Sequence, residues 1–200
     1  MKIKRHVIQI ICTVLLAAAS LAQNQPRPAQ AGNAEIAGLP AGRGIYYHAA
    51  HGWVRLPFTV LMPFVEKKGI VLEVLNLGSE HAISEIPGSY AGVQIGNDAR
   101  PTFYLRGIAQ TDLYLVRATR KADHRELRMP ISGEFREWAH FRHEDVAGIE
   151  VQQVTADVLA VKPLTQLRPG EYAIATPFEP GARWIRLGFD FGLIAGHTGG

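Results

Sequence analysis

The sequence predicts an all-β fold, an antiparallel β-sandwich, from three observations. About a dozen short runs rich in β-branched and aromatic residues recur at roughly 8–15-residue spacing, punctuated by Gly, Pro, Asn and Asp. Near the end of the chain, Ile185, Leu187, Phe189 and Phe191 alternate with Trp184, Arg186, Gly188 and Asp190, the period of a half-buried strand. No long amphipathic helical period interleaves with these runs, which argues against a parallel sheet built from strand–helix–strand units.

Residues 1–22 have the three-part layout of a secretory signal peptide. Lys2, Lys4 and Arg5 give a positive start, Val7 to Ala19 an apolar run, and Ser20-Leu21-Ala22 a small-residue exit. The run of about 13 residues is short of the roughly 20 that span a bilayer. The expectation is cleavage near Ala22, export to the periplasm or the exterior, and no stable membrane span afterwards. Cys12, the only cysteine, would leave with the leader, and with it any disulfide, thiol nucleophile or thiolate metal site. Of 21 basic and 18 acidic residues, the leader takes three basic ones. Equal numbers remain, so a nucleic-acid partner is not expected.

Gln23 to Arg43 is rich in Ala, Gly, Pro and Gln and reads as a flexible linker. A single domain is placed at 44–194, with 195–200 as a tail. It opens with an added hairpin, Ile45-Tyr46-Tyr47 and Trp53-Val54-Arg55-Leu56, whose loop ends on Gly52. Strands are then expected over 58–64, 70–75, 89–95, 102–106 and 113–119. Leu113-Tyr114-Leu115-Val116 is apolar on both faces and is assigned to a central strand. Further strands are placed at 124–129, stopped by Pro130, and at 149–154, 158–161, 172–175 and 184–191. Phe135, Trp138 and Ala139 have helical spacing, so the pattern allows one short helix near 134–143.

Leu167-x-Pro169-Gly170-x-Tyr172 sets a turn before a strand: Pro169 fixes φ, Gly170 supplies freedom, and Tyr172 alternates with Ile174. The motif resembles the tyrosine corner of immunoglobulin-like and fibronectin type III sandwiches. That resemblance implies a buried Tyr172 whose hydroxyl bonds backbone near Pro163 to Leu167. It covers about nine residues, and Ile174 stands where an antibody domain has cysteine. A looser resemblance runs through Gly44-Ile45-Tyr46-Tyr47, Tyr114-Leu115-Val116-Arg117, Gly170-Glu171-Tyr172 and Phe189-Asp190-Phe191-Gly192. These segments look like uncharacterised secreted bacterial β-rich proteins, a group that implies no catalytic residues. The fold expectation is therefore an immunoglobulin-like sandwich with an added N-terminal hairpin.

Two histidine pairs are the metal-ligand candidates. On a helix, His140 and His143 would share a face with Glu144; on a strand they would not. His48 and His51 sit on the expected hairpin tip, and a transition-metal site requires the two pairs to meet. Asp123-His124-Arg125-Glu126 holds acid and base groups in a row, but consecutive strand residues alternate between faces, so a charged edge is expected there. No Gly-x-Ser-x-Gly, phosphate loop, dinucleotide fingerprint or His-Glu-x-x-His is present. Trp53, Trp138 and Trp184 are the candidate binding aromatics, Trp184 being placed outward by the alternation of its strand. The leading functional expectation is a secreted or periplasmic, non-catalytic binding module for a protein or glycan of the cell envelope, without a cofactor. The alternatives are a metal-dependent enzyme using the histidine pairs and a structural accessory domain without a ligand.

Overall fold

The computed structural model describes residues 36–65, 81–96, 98–130, 141–178 and 185–195. The chain divides into two compact units, Met1–Ala37 and Gly38–Gly200. Only Ile36 and Ala37 of the first are described, and every strand belongs to the second. The fold is all-β, with almost every strand antiparallel to its neighbours. In chain order the strands are β1 (Gly44–Ala49), β2 (Gly52–Arg55), β3 (Phe58–Leu61), β4 (Phe64–Val65), β5 (His81–Pro87), β6 (Gln94–Ile95) and β7 (Phe103–Arg106). There follow β8 (Tyr114–Arg120), β9 (His124–Pro130), β10 (Val146–Ala147), β11 (Ile149–Thr155), β12 (Val158–Pro163), β13 (Gly170–Pro177) and β14 (Arg186–Leu193).

They form two sheets. One runs β11-β12-β7-β1-β2; the other runs β3-β14-β13-β8-β9-β5-β4, with β10 on β8 and β6 parallel to β14. In the second sheet the two ends of the path, β3 and β4, are neighbours in sequence with only Met62-Pro63 between them. Pro63 has no N–H for a ladder, and at this break the chain leaves β14 and joins β5. The sheet therefore curls back on itself as a nearly closed barrel.

Curling creates two cores. Inside the barrel, Leu61, Ala82, Ile86, Val116, Leu127, Met129, Ala173 and Ala175 pack together. Between the sheets, Ile45, Phe103, Leu105, Leu159 and Val161 meet Leu115, Tyr172, Ile174, Phe189 and Phe191, with the Phe103 and Phe191 rings 4.7 Å apart. β8 is accordingly covered on both faces, as the run at Leu113–Val116 predicts: Leu115 and Val116 are both buried.

The same covering corrects the reading of 184–191. Arg186, Gly188 and Asp190 do not face solvent. They lie on the inner face of the barrel, Arg186 and Asp190 only 7% and 4% exposed, while Leu187, Phe189 and Phe191 face the sheet-to-sheet core. The interior is narrow at this point. A Cβ on Gly188 would lie 2.8 Å from Leu61 Cδ1, so the position needs glycine for close approach.

The hairpin β1–β2 forms as expected, with Gly52 at φ 115°. It is an integral part of a sheet and not an addition to one, because β1 also pairs with β7. Gly38–Arg43, the end of the expected linker, is held on this sheet. Arg106 Nη1 donates to the Pro40 carbonyl at 2.7 Å, the Tyr46 hydroxyl to Gly42 at 2.7 Å, and Arg55 Nη2 to Arg43 at 2.8 Å.

Tyr172 is buried, and its hydroxyl donates to the Arg168 carbonyl at 2.7 Å. The acceptor lies one residue beyond the expected stretch 163–167. Burial raises the pKa of this phenol, against the pull of nearby Arg117 and Arg168. Two differences concern elements. β5 is a strand that the sequence pattern does not mark, and the expected strand 89–95 forms only at Gln94–Ile95. The expected strand 70–75 lies outside the described residues, as does most of the helix placed near 134–143. In the described end of that segment Phe141 and Arg142 are not helical, and His143–Asp145 forms a single 3-10 turn.

Candidate functional site

The outer face of β3 and β4 carries a row of exposed apolar side chains. Phe58, Val60, Met62 and Phe64 are 55%, 42%, 64% and 46% exposed. They alternate with Thr59, Leu61 and Pro63, of which Leu61 fills the barrel. The row starts at the rim of the sheet-to-sheet core, where the Phe58 ring lies 5.9 Å from Phe189. Val60 stands opposite the half-buried Leu187 on β14. Nearby on the β13–β14 hairpin, exposed Phe178 donates its backbone N–H to exposed Ile185. Single exposed apolar residues are ordinary on any protein; four at alternate positions of one run are a less usual grouping.

The expected binding aromatics are arranged differently. Trp53 is half-buried, its ring edge-on to Tyr104 at 5.1 Å and to His48 at 4.8 Å. It packs on its own sheet and offers no open platform. Trp138 and Trp184 lie outside the described residues, as does His140. His48 is exposed with its ring against Trp53, His51 is exposed at the hairpin tip, and His143 is exposed in its 3-10 turn. Among the described residues no group of three or more His, Cys, Asp or Glu is placed to hold a metal ion, so His48, His51 and His143 do not converge.

The segment 123–126 splits between faces as strand geometry requires. Arg125 points into the barrel, 2% exposed, and donates from Nη1 to Asp190 at 2.8 Å and Glu171 at 3.4 Å. It also donates to the carbonyls of Pro87 and Gly88 at 2.9 and 2.8 Å. This clasp joins β9, β13, β14 and the loop after β5 at one end of the barrel. Sequence reasoning missed it, because Arg125, Glu171 and Asp190 meet only once the sheet has curled. On the outer face, His124 Nδ1 lies 2.7 Å from Asp123, and Nε2 lies 3.4 Å from Glu126 and 3.6 Å from Glu85. The hydrogen bond with Asp123 holds the imidazole pKa above its ordinary value, and the carboxyl of Asp123 is held below its own. Burial works against the Glu126 carboxylate, yet Lys121 and Arg128, both at 3.0 Å, outweigh it and keep its pKa low. Every group in this cluster has a partner within it, and its geometry is that of a strand-end brace.

Comparison with family models, curated proteins and solved structures gives no match. Among the described residues no helix is long and apolar enough to cross a membrane.

Proposed function

We propose that this chain is an exported, non-catalytic binding module that recognises a protein of the cell envelope through the apolar row Phe58, Val60, Met62 and Phe64. One observation carries the reading: four successive outward positions of one extended run are apolar and 42–64% exposed. Keeping them in water has a cost that burial against a partner removes, at roughly 25 cal/mol per Å² of apolar surface. Aromatic and methionine side chains are the types enriched in protein interfaces. A glycan is less suited, since the row itself offers no side-chain donor or acceptor, and Thr59 between Phe58 and Val60 is half-buried on the opposite face. The signal-peptide layout of residues 1–22 supports the envelope as the place of encounter.

The immunoglobulin-like relationship belongs to the same proposal. The Tyr172 corner and the face-to-face packing of two antiparallel sheets support it. The curl of the second sheet is a departure from that pattern.

The test is capture from solubilised envelope fractions by the wild-type chain and by Phe58→Ser/Met62→Ser. Met62 is 64% exposed and Phe58 55%; because the Phe58 ring also packs on Phe189, a modest fall in melting temperature is expected, and Met62→Ser alone is the control that keeps that contact. The expected result is a defined protein retained by the wild type and lost from the variant. The same set of proteins on both would overturn the proposal.

A further inference from the structure

We propose a second contact surface, independent of the apolar row: β11, the outer strand of the five-stranded sheet, pairs antiparallel through its free edge with β11 of a second copy of this chain. Among the described residues β11 pairs with β12 alone. Edge strands are ordinarily blunted by shortness, basic side chains or proline. β11 is seven residues long, contains no Lys, Arg or Pro, and carries one charged side chain, Glu150. The opposite edge of the same sheet, β2, has only four residues.

The ladder to β12 fixes which backbone groups this edge offers. Leu164 donates its N–H to the Gly148 carbonyl at 2.9 Å, and the register continues through Ile149–Pro163, Glu150–Lys162 and Val151–Val161. Hydrogen-bonded and non-bonded pairs alternate in an antiparallel ladder, so Glu150 and Gln152 bond to β12. Ile149, Val151 and Gln153 turn their N–H and C=O groups the other way. Pro163, which has no N–H, accordingly stands opposite Ile149, where no bond is required. The far side of β12 agrees: Gly107 donates to the Asp157 carbonyl at 2.9 Å, which commits the odd-numbered residues of β12 to β7. The regular ladder ends after Gln153, where the register shifts and the Gln153 side chain donates to the carbonyls of Thr155 and Val158.

The regular stretch Ile149–Gln153 is complementary to its own reverse, which is the argument for a second copy as the occupant. With Val151 opposite Val151 on a two-fold axis, the Val151 pair and the Ile149–Gln153 pairs exchange both N–H···O bonds. Glu150 of each copy then faces Gln152 of the other. Both side chains are exposed, and in a non-bonded pair opposing side chains lie close, so the Gln152 amide donates to the Glu150 carboxylate. Neighbouring registers are disfavoured. An axis at Glu150 sets two carboxylates opposite each other, and an axis at Gln152 draws the shifted end of the strand into the ladder. Ile149 and Val151 are half-buried against the core between the sheets, and a second β11 beside them covers apolar surface that the sheet edge leaves open.

Sedimentation of the full chain over a concentration series should show a monomer–dimer equilibrium that Met62→Ser leaves in place. Gln152→Glu sets acid opposite acid on both sides of the axis and should weaken the dimer by about tenfold. Glu150→Gln/Gln152→Glu restores an amide opposite a carboxylate and should bring the dimer back. Both positions are exposed, so the circular dichroism of the dilute chain should be the same for every variant. A chain that stays monomeric at every concentration, a dimer lost in Met62→Ser, or a swap variant no tighter than Gln152→Glu would overturn the proposal.

Discussion

Tyr172 is the residue whose role is closest to its sequence. The Pro169-Gly170 turn, the strand that follows and the hydroxyl's bond to Arg168 lie within five residues, so the local pattern carries nearly all of it. Tyr172→Phe removes only the bond and keeps the ring stacked 5.6 Å from Phe191. It should lower unfolding free energy by about 0.5–1.5 kcal/mol, measured in urea, with capture unaffected. His124 gives a pH dependence of definite sign. Its pKa is raised in the folded state by Asp123, then Glu126 and Glu85, so its protonation contributes stability that is complete below the ordinary histidine value of about 6.5. That contribution disappears as pH rises through the raised folded value. The wild type should therefore lose melting temperature from about pH 6.5 upward relative to His124→Gln. Parallel curves would show that His124 does not brace the β5–β9 end.

At the scale of elements, β14 shows where a strand pattern is legible and where it misleads. The alternation predicts Ile185, Leu187, Phe189 and Phe191 as buried; Phe189 and Phe191 are, Leu187 is half-buried, and Ile185, just before the strand begins, is exposed. It places Arg186, Gly188 and Asp190 outward, because a polar or small residue at alternate positions ordinarily marks the solvent face. Here the second face fills a barrel whose wall includes β3, from the other end of the domain's sequence. That pairing leaves no trace in the local period. Gly188 marks it instead: it is the gap into which Leu61 fits. Gly188→Ala should cost about 1–3 kcal/mol as overpacking. Adding Leu61→Ala should recover part of that loss, a coupling read from a double-mutant cycle. Additive effects would mean that the two residues do not touch. The apolar run Phe58–Phe64 is legible as extended chain. Which of its faces stays wet is not, since that depends on closure between β3 and β4.

For the molecule as a whole, covering decides which apolar residues meet water. The core between the sheets takes residues of β8, β13 and β14 and none of β3 or β4, and Phe58, Val60, Met62 and Phe64 are exposed. The tryptophans draw attention in the sequence because large aromatics dominate interface energetics. Trp53, the one described, has its ring against Tyr104 and His48. The proposed binding surface instead falls on residues that read as ordinary core. The histidine pairs are legible only as spacing: among the described residues His48, His51 and His143 do not form a group of three, and His140 lies outside them. The most direct test of the apolar row is a photo-crosslinking amino acid placed at Met62, with Gln152 on β11 as the control position on the other sheet. Covalent adducts to one defined envelope protein from position 62, and none to it from 152, are the expected result. No adduct from 62, or the same adducts from both positions, would contradict the assignment of this row as the binding surface.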